Sequence, residues 1–260
     1  MCEENGDSFL HRKDGINKEW NDAAESWLEF VRKGKDYYRD ELNNPATFEL
    51  IGDVKGKRVL DLACGEGYNT RIMATKGAKV TGVDFSEKLI ELARREEARV
   101  KKGISYHILD ACDLKEFPSD HFDLVTCFMS LQDIKNYKKA IFEVARILRN
   151  QGRFVFSFPH PCFETITVNG KRISTGERYF GAVRYSIQWN MERLERPFRT
   201  TSFHRTLTDY FDALFRNKLF VSRLVEPKPT KKGLQKYPAL RQVLATPQSI
   251  VIESVKIIDR

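Results

Sequence analysis

Residues 59–67, Val-Leu-Asp-Leu-Ala-Cys-Gly-Glu-Gly, constrain this chain more than any other stretch. A short apolar run closes on a Gly-x-Gly turn. Glycine adopts backbone angles that other residues avoid, so such a turn brings amide groups close to a ligand. A second apolar run, 79–84 (KVTGVD), ends on the acid Asp84. A carboxylate at that point can take both hydroxyls of a ribose. Strand, glycine turn and acid together point to a cofactor that contains adenosine.

The same rhythm continues along the chain. Apolar runs at 58–63, 79–84, 104–109, 122–128 and 153–158 alternate with helix-period segments at 67–76, 87–102 and 136–149. This alternation predicts an α/β fold, a parallel sheet with helices on both faces. Right-handed crossovers then set the strand C-termini along one edge, where ligands bind. Past residue 158 the rhythm breaks. Two β-type stretches, 165–168 and 184–189, surround Asn169-Gly170, a hairpin signal. A helix at 207–217 and strands near 219–225 and 249–258 complete the pattern. Residues 160–205 therefore read as a β-rich insertion that leaves the ligand edge after the fifth strand and forms a lid.

On the N-terminal side, residues 1–18 show no apolar period. Trp20, Ala24, Trp27, Leu28 and Val31 recur at helical spacing, and Gly34 ends that helix. Asn44-Pro45 predicts a second helix, with Asn44 as its cap. The expected division is a tail and cap helix over 1–44 and one domain over 45–260.

Composition excludes several classes. At 41% apolar and 31% charged residues the chain is ordinary for a soluble protein. No apolar run approaches the ~20 residues of a membrane span, and the acidic start is no secretory signal. Cys2, Cys64, Cys112, Cys127 and Cys162 lack paired spacing, which predicts reduced thiols, no structural zinc and a cytoplasmic setting. The net charge of +8 is uneven: 163–205 carries eight Lys/Arg against four Glu, and 228–241 carries five Lys/Arg and no acid. Either an anionic substrate or RNA binds near the C-terminal third, or these segments are a solvated surface. Nothing in the sequence speaks to oligomeric state.

The cofactor class follows from two residues. A dinucleotide turn wants a third glycine where Thr70 stands. Asp61 lies inside the first strand, and a buried carboxylate needs a cationic or donating partner. A cofactor with an ammonium group meets that need.

VLDLACGEG, VTGVDFSEKLIELA, LDACDLKEFPSDHFDLV and ARILRNQGRFVFSFPHP, in that order and spacing, resemble the class I S-adenosylmethionine-dependent methyltransferases. The likeness is to the small-molecule branch of the ubiquinone/menaquinone-biosynthesis type (methyltransferase type 11). It is strong over 45–160 and weaker over 206–258. It implies a Rossmann-like, seven-stranded, mostly parallel sheet, with S-adenosyl-L-methionine as cofactor and S-adenosyl-L-homocysteine as product. It further implies that Asp61 and the backbone of Ala63–Gly65 hold the methionine end, while Gly67 lets the chain pass close to the cofactor. Asp84 would take the ribose, Phe85 would flank the adenine, Asp110 would accept from the adenine amine, and Ala111 or Cys112 would read the ring edge. Phe128 would pack beside the sulfonium. Tyr38 and Arg39, on the segment before the core, would close over the site, with Arg39 pairing to the methionine carboxylate.

The expected acceptor is a small molecule with an O or N nucleophile, an anionic one included. An RNA methyltransferase and a catalytically silent cofactor-binding partner protein are the alternatives. Three residues are candidates for proton transfer. His160 follows the fifth strand, His204 stands where the insertion ends and is expected near His160, and Asp133 follows the fourth strand beside Gln132. His11, His107 and His121 look peripheral. Arg205, or one of Arg172, Arg178 and Arg184, is a candidate for binding an anionic group.

Overall fold

The computed structural model describes residues 15–168, 171–181, 183–189 and 197–258. Strands β1 (Arg58–Leu62), β2 (Lys79–Asp84), β3 (Ser105–Ile108), β4 (Phe122–Phe128), β5 (Leu148–Pro159), β10 (Leu219–Val225) and β11 (Ser249–Lys256) form one sheet. Its order is β10-β11-β5-β4-β1-β2-β3. The pairs among β1 to β5 are parallel, and β11 runs antiparallel to both β5 and β10.

Alternation along each strand decides which helix layer it meets. Leu60, Leu62, Val125, Cys127, Phe154, Phe156 and Phe158 face α5 (Tyr137–Ile147) and α6 (Leu207–Arg216), where Tyr137, Ile141, Val144, Tyr210 and Leu214 are buried. Val59, Leu124, Val155 and Val251 face the other layer, α2 (Asn44–Ile51) and α3 (Tyr68–Thr75), with Leu50, Ile51 and Met73. Asp61 and Thr126 share the parity of Val59 and Leu124, so they point to the α3 side.

Side-chain caps set several helix starts. Ser86 accepts from the Leu89 amide at the head of α4 (Glu87–Val100). Thr206 and Asp209 form a capping box on α6. The second helix departs from expectation. Asn44 is not a cap: the chain is already helical from Tyr37, makes a π-type turn over Arg39–Asn43 and runs on into α2, across the expected boundary at 44/45. Pro45 has no N–H and crowds the preceding turn, and a wider turn just ahead of it absorbs both effects. The Asn44 amide instead donates to Asn69 Oδ1 at 2.8 Å.

The insertion between β5 and α6 holds two hairpins. β6 (Thr165–Val168) pairs β7 (Lys171–Ser174), and β8 (Val183–Trp189) pairs β9 (Phe198–His204). The Asn169-Gly170 turn lies outside the described residues, as does His11. α1 (Ile16–Arg32) clasps this insertion: the Glu19 carboxylate accepts from the Thr201 amide at 2.7 Å and from its hydroxyl at 3.0 Å. Trp27 meets Trp189 edge-on at 5.6 Å, and Trp189 stacks on Phe198. No helix among the described residues is long and apolar enough to cross a membrane.

Candidate functional site

The ends of β1, β2, β4 and β5 and the loop after β3 open on one cavity of about 1130 Å³. Its floor is the sheet edge, and its walls include α1, the helical run from Tyr38 and the insertion.

The glycine turn forms the floor. Ala63 and Gly65 both hold positive φ, 53° and 58°. A Cβ on Gly65 would meet nothing within 4 Å, so the open side of this turn faces the cavity. The Gly65 amide donates to Asp84 Oδ2 at 2.9 Å, and the Ser86 amide donates to Oδ1 at 2.9 Å. Gly67 does not line the cavity. A Cβ there would lie 2.8 Å from Tyr106 Cζ, so close packing of Tyr106, not passage of a ligand, requires this glycine.

Asp61, 1% exposed, accepts from Thr70 Oγ1 at 2.6 Å and Thr126 Oγ1 at 2.9 Å. Thr70, standing where a dinucleotide fold has glycine, is therefore the partner that α3 presents to the buried acid. Burial raises the Asp61 carboxyl to about 6 against those two hydroxyls, and the charge of Asp84 adds to the rise. Burial also raises Asp84 to about 6, opposed by the backbone donors at Ser86, Gly65 and Phe85. Between pH 4 and 6 the folded chain thus binds more protons than the unfolded chain, and stability falls as pH rises through that window. The cofactor-free protein is expected to melt at a lower temperature at pH 7.5 than at pH 5. A flat or rising melting temperature in scanning calorimetry contradicts this.

Asp110, Ala111 and Cys112 line the cavity beyond β3. One oxygen of Asp110 accepts from the Cys112 amide at 2.8 Å. Glu143 and Arg146 on α5 brace this loop through the Leu114 amide and the Leu114 and Phe117 carbonyls. Phe85 and Phe128 also line the cavity, with Phe128 packed on Phe48 at 5.5 Å. From the opposite wall, Tyr38 accepts from the Gln242 amide at 2.6 Å. Arg39 stacks on Tyr68 at 3.8 Å and pairs with Asp40, while its buried Nη2 has no hydrogen-bond partner.

The proton-transfer candidates separate. Asp133 lines the cavity. His160 does not: its Nδ1 accepts from the Cys162 amide at 3.2 Å and its Nε2 lies 3.0 Å from Glu226 Oε1. It caps the turn that leaves β5, and burial lowers its pKa, opposed by Glu226. His204 sits on β9, paired to Val183, with Nε2 3.1 Å from the Tyr179 carbonyl, and it too is off the main cavity. It is buried at the end of the second hairpin of the insertion. Arg205 is spent on the carbonyls of Leu131, Gln132, Ile134 and Lys135, so it is no anion site. Arg184 is exposed, and the side chains of Arg172 and Arg178 lie outside the described residues. One cavity residue gave no sequence signal. Glu164 precedes β6, and both its oxygens accept from Tyr185 OH at 3.2 and 3.1 Å.

Comparison with known proteins fixes the family. A methyltransferase-domain model (Methyltransf_11) matches residues 60–156. A demethylmenaquinone methyltransferase of Clavibacter sepedonicus is 32% identical over 209 residues, 73% of this chain and 84% of the relative. The chain belongs to the class I S-adenosylmethionine-dependent methyltransferases. S-adenosylmethionine is therefore the cofactor of this methyltransferase. A ubiquinone biosynthesis O-methyltransferase of Coxiella burnetii is 31% identical over 141 residues, and the match spans 53% of this chain and 58% of that relative. An S-adenosylmethionine-dependent methyltransferase from Mesorhizobium loti, solved by crystallography, superposes with a TM-score of 0.67 at 27% identity. It covers 81% of this chain and 96% of its own. The seven-stranded, mostly parallel sheet of this methyltransferase is the expected Rossmann-like one.

Proposed function

We propose that this methyltransferase methylates an O or N nucleophile of a small molecule held between the sheet edge and the lid. One observation carries the reading: a single cavity runs from the glycine turn to the inner side of the insertion, closed over by α1. Bound S-adenosylmethionine supplies an activated methyl group, so the protein needs to bind, orient and exclude water.

The residues present fit that cofactor. Asp84 keeps further lone pairs beyond its backbone donors and takes the ribose hydroxyls. The unpartnered Arg39 Nη2 is the donor that suits a carboxylate. The open face of Gly65 and the backbone of Ala63 leave room for the methionine end, beside the charge of Asp61. Phe85, Asp110 and the Ala111–Cys112 backbone flank the adenine, Phe128 lies by the sulfonium, and Tyr38 closes the wall. Gly67 acts through Tyr106 rather than by touching the cofactor.

The test is calorimetry with S-adenosylhomocysteine, followed by transfer of labelled methyl from S-adenosylmethionine to a library of small acceptors. Absence of S-adenosylhomocysteine binding sinks the reading. In the same assay His160→Ala is expected to keep wild-type turnover. Its melting temperature falls by roughly 2–8 °C, the equivalent of a lost buried hydrogen bond or two. A collapse of turnover without loss of stability would restore His160 as a base.

A further inference from the structure

Where the segment after β4 meets the insertion, the cavity carries more acceptors than donors. Gln132, 7% exposed, lines the cavity, yet its Oε1 has no hydrogen-bond partner. Its Nε2 is spent on the Met129 carbonyl at 2.6 Å and on Asp133 Oδ2 at 3.4 Å. Asp133 also accepts from Ser202 Oγ, and Glu164 accepts from Tyr185 OH. All the donors on these side chains are therefore consumed, while the Gln132 amide oxygen is buried without a partner and Asp133 and Glu164 line the cavity. Burial raises Asp133 and Glu164 to about 7, and the charge of Glu164 adds to the rise on Asp133. The groups that act on Asp133 are Ser202, Glu164, Arg205 and Glu19, and the hydrogens of Arg205 are committed to backbone carbonyls. Trp20, Trp27, Trp189 and Phe163 line the same cavity and present aromatic rings.

Gln132, Asp133 and Glu164 thus offer acceptors and no free donor, and the cations among the described residues that line the cavity are Arg39 and Lys135. A hydroxyl acceptor brings one donor and no charge. A primary ammonium brings three donors and the charge, and aromatic faces attract its substituents. Resting on the methyltransferase reading above, we propose that the methyl acceptor is a small primary or secondary amine. It enters as an ammonium and is held by Gln132 Oε1, Asp133 and Glu164. Glu164 takes one ammonium proton, which frees the nitrogen lone pair. The nitrogen then forms its bond to the methyl carbon, while the sulfur–carbon electron pair stays on sulfur. The product leaves as a methylated ammonium, and Glu164 returns its proton to water. The acceptor site is thus acidic, which argues against an anionic acceptor group at this end of the cavity.

The test uses the full chain saturated with S-adenosylhomocysteine and a panel of simple primary and secondary amines matched by phenols of the same size. Amines should raise the melting temperature, and labelled methyl should appear on them. Glu164→Gln and Asp133→Asn should each weaken amine binding about 10- to 100-fold, as expected for loss of a charged hydrogen bond. Their affinity for S-adenosylhomocysteine should be unchanged. Label on phenols alone, no stabilisation by any amine, or wild-type amine affinity in both variants overturns the proposal. Failure of S-adenosylhomocysteine to bind overturns the underlying reading instead, so the two failures are distinguishable.

Discussion

Asp84→Ala is expected to weaken S-adenosylhomocysteine binding by about 100-fold or more while leaving the protein folded. Two charged hydrogen bonds to a ribose are worth about 1.5–3 kcal/mol each, and their joint loss gives that factor or a larger one. A second effect adds to it. The same carboxylate fixes the Gly65 amide on one oxygen and the Ser86 amide on the other, so it ties the glycine turn after β1 to the start of α4. Its removal would loosen the floor of the cavity as well as remove the proposed ribose contact. The fold survives because Asp84 is a desolvated acid, raised to about 6, and removing it at pH 7 also removes the cost of burying its charge. Asp84→Asn separates the two effects. An amide keeps one oxygen acceptor and the volume, so it should fall between wild type and alanine. Calorimetry with S-adenosylhomocysteine reads all three. Near-wild-type affinity in Asp84→Ala would remove this residue from the ribose site.

The parts of the molecule that could be read from the sequence are those whose cause is local. An apolar run with period two and a following amphipathic helix need only their own residues, and β1 to β5, β10 and β11 fall within a few positions of expectation. Asp84 was legible because a strand-end acid after a glycine turn is a local pattern. Thr70 was legible only as an absent glycine. Its hydroxyl bond to Asp61 is a tertiary fact, set by α3 crossing over β1. The lid was hardest to read. Phe198-Arg-Thr-Thr-Ser-Phe-His204 alternates as a strand should, yet β9 escaped because its pairing with β8 spans a break in the pattern. Glu164 gave no signal at all. What marks it is Tyr185, 21 residues on, and a cavity that exists only once the hairpins fold over the sheet edge. Histidine chemistry suggests proton transfer, but His160 bonds the Cys162 amide and Glu226 and His204 the Tyr179 carbonyl.

Gly67→Ala is the substitution expected to cost most in stability. Gly67 sits at φ 82° at the head of α3, a left-handed conformation that costs an alanine about 1–2 kcal/mol. The added methyl would also sit 2.8 Å from Tyr106 Cζ, and overpacking of this kind costs about 1–3 kcal/mol. Tyr106 cannot retreat easily, because its ring is equally close to Gly82 on β2, where a Cβ would lie 2.8 Å from ring carbons. The sum, about 2–5 kcal/mol, corresponds to a fall of roughly 5–15 °C in melting temperature. Gly65→Ala is the control, since its φ is also left-handed but the space beside it is open. It should lose only the backbone part of the stability, about 1–2 kcal/mol. It should instead lose cofactor affinity, because its methyl enters the cavity. Pairing Gly67→Ala with Tyr106→Ala isolates the clash. If the clash is real, the double variant is more stable than the sum of the single losses predicts. Strict additivity would leave backbone strain as the whole reason for a glycine at this position. The two glycines of one turn then divide the work. Gly67 lets the sheet close around Tyr106, and Gly65 keeps the resulting cavity open to the cofactor.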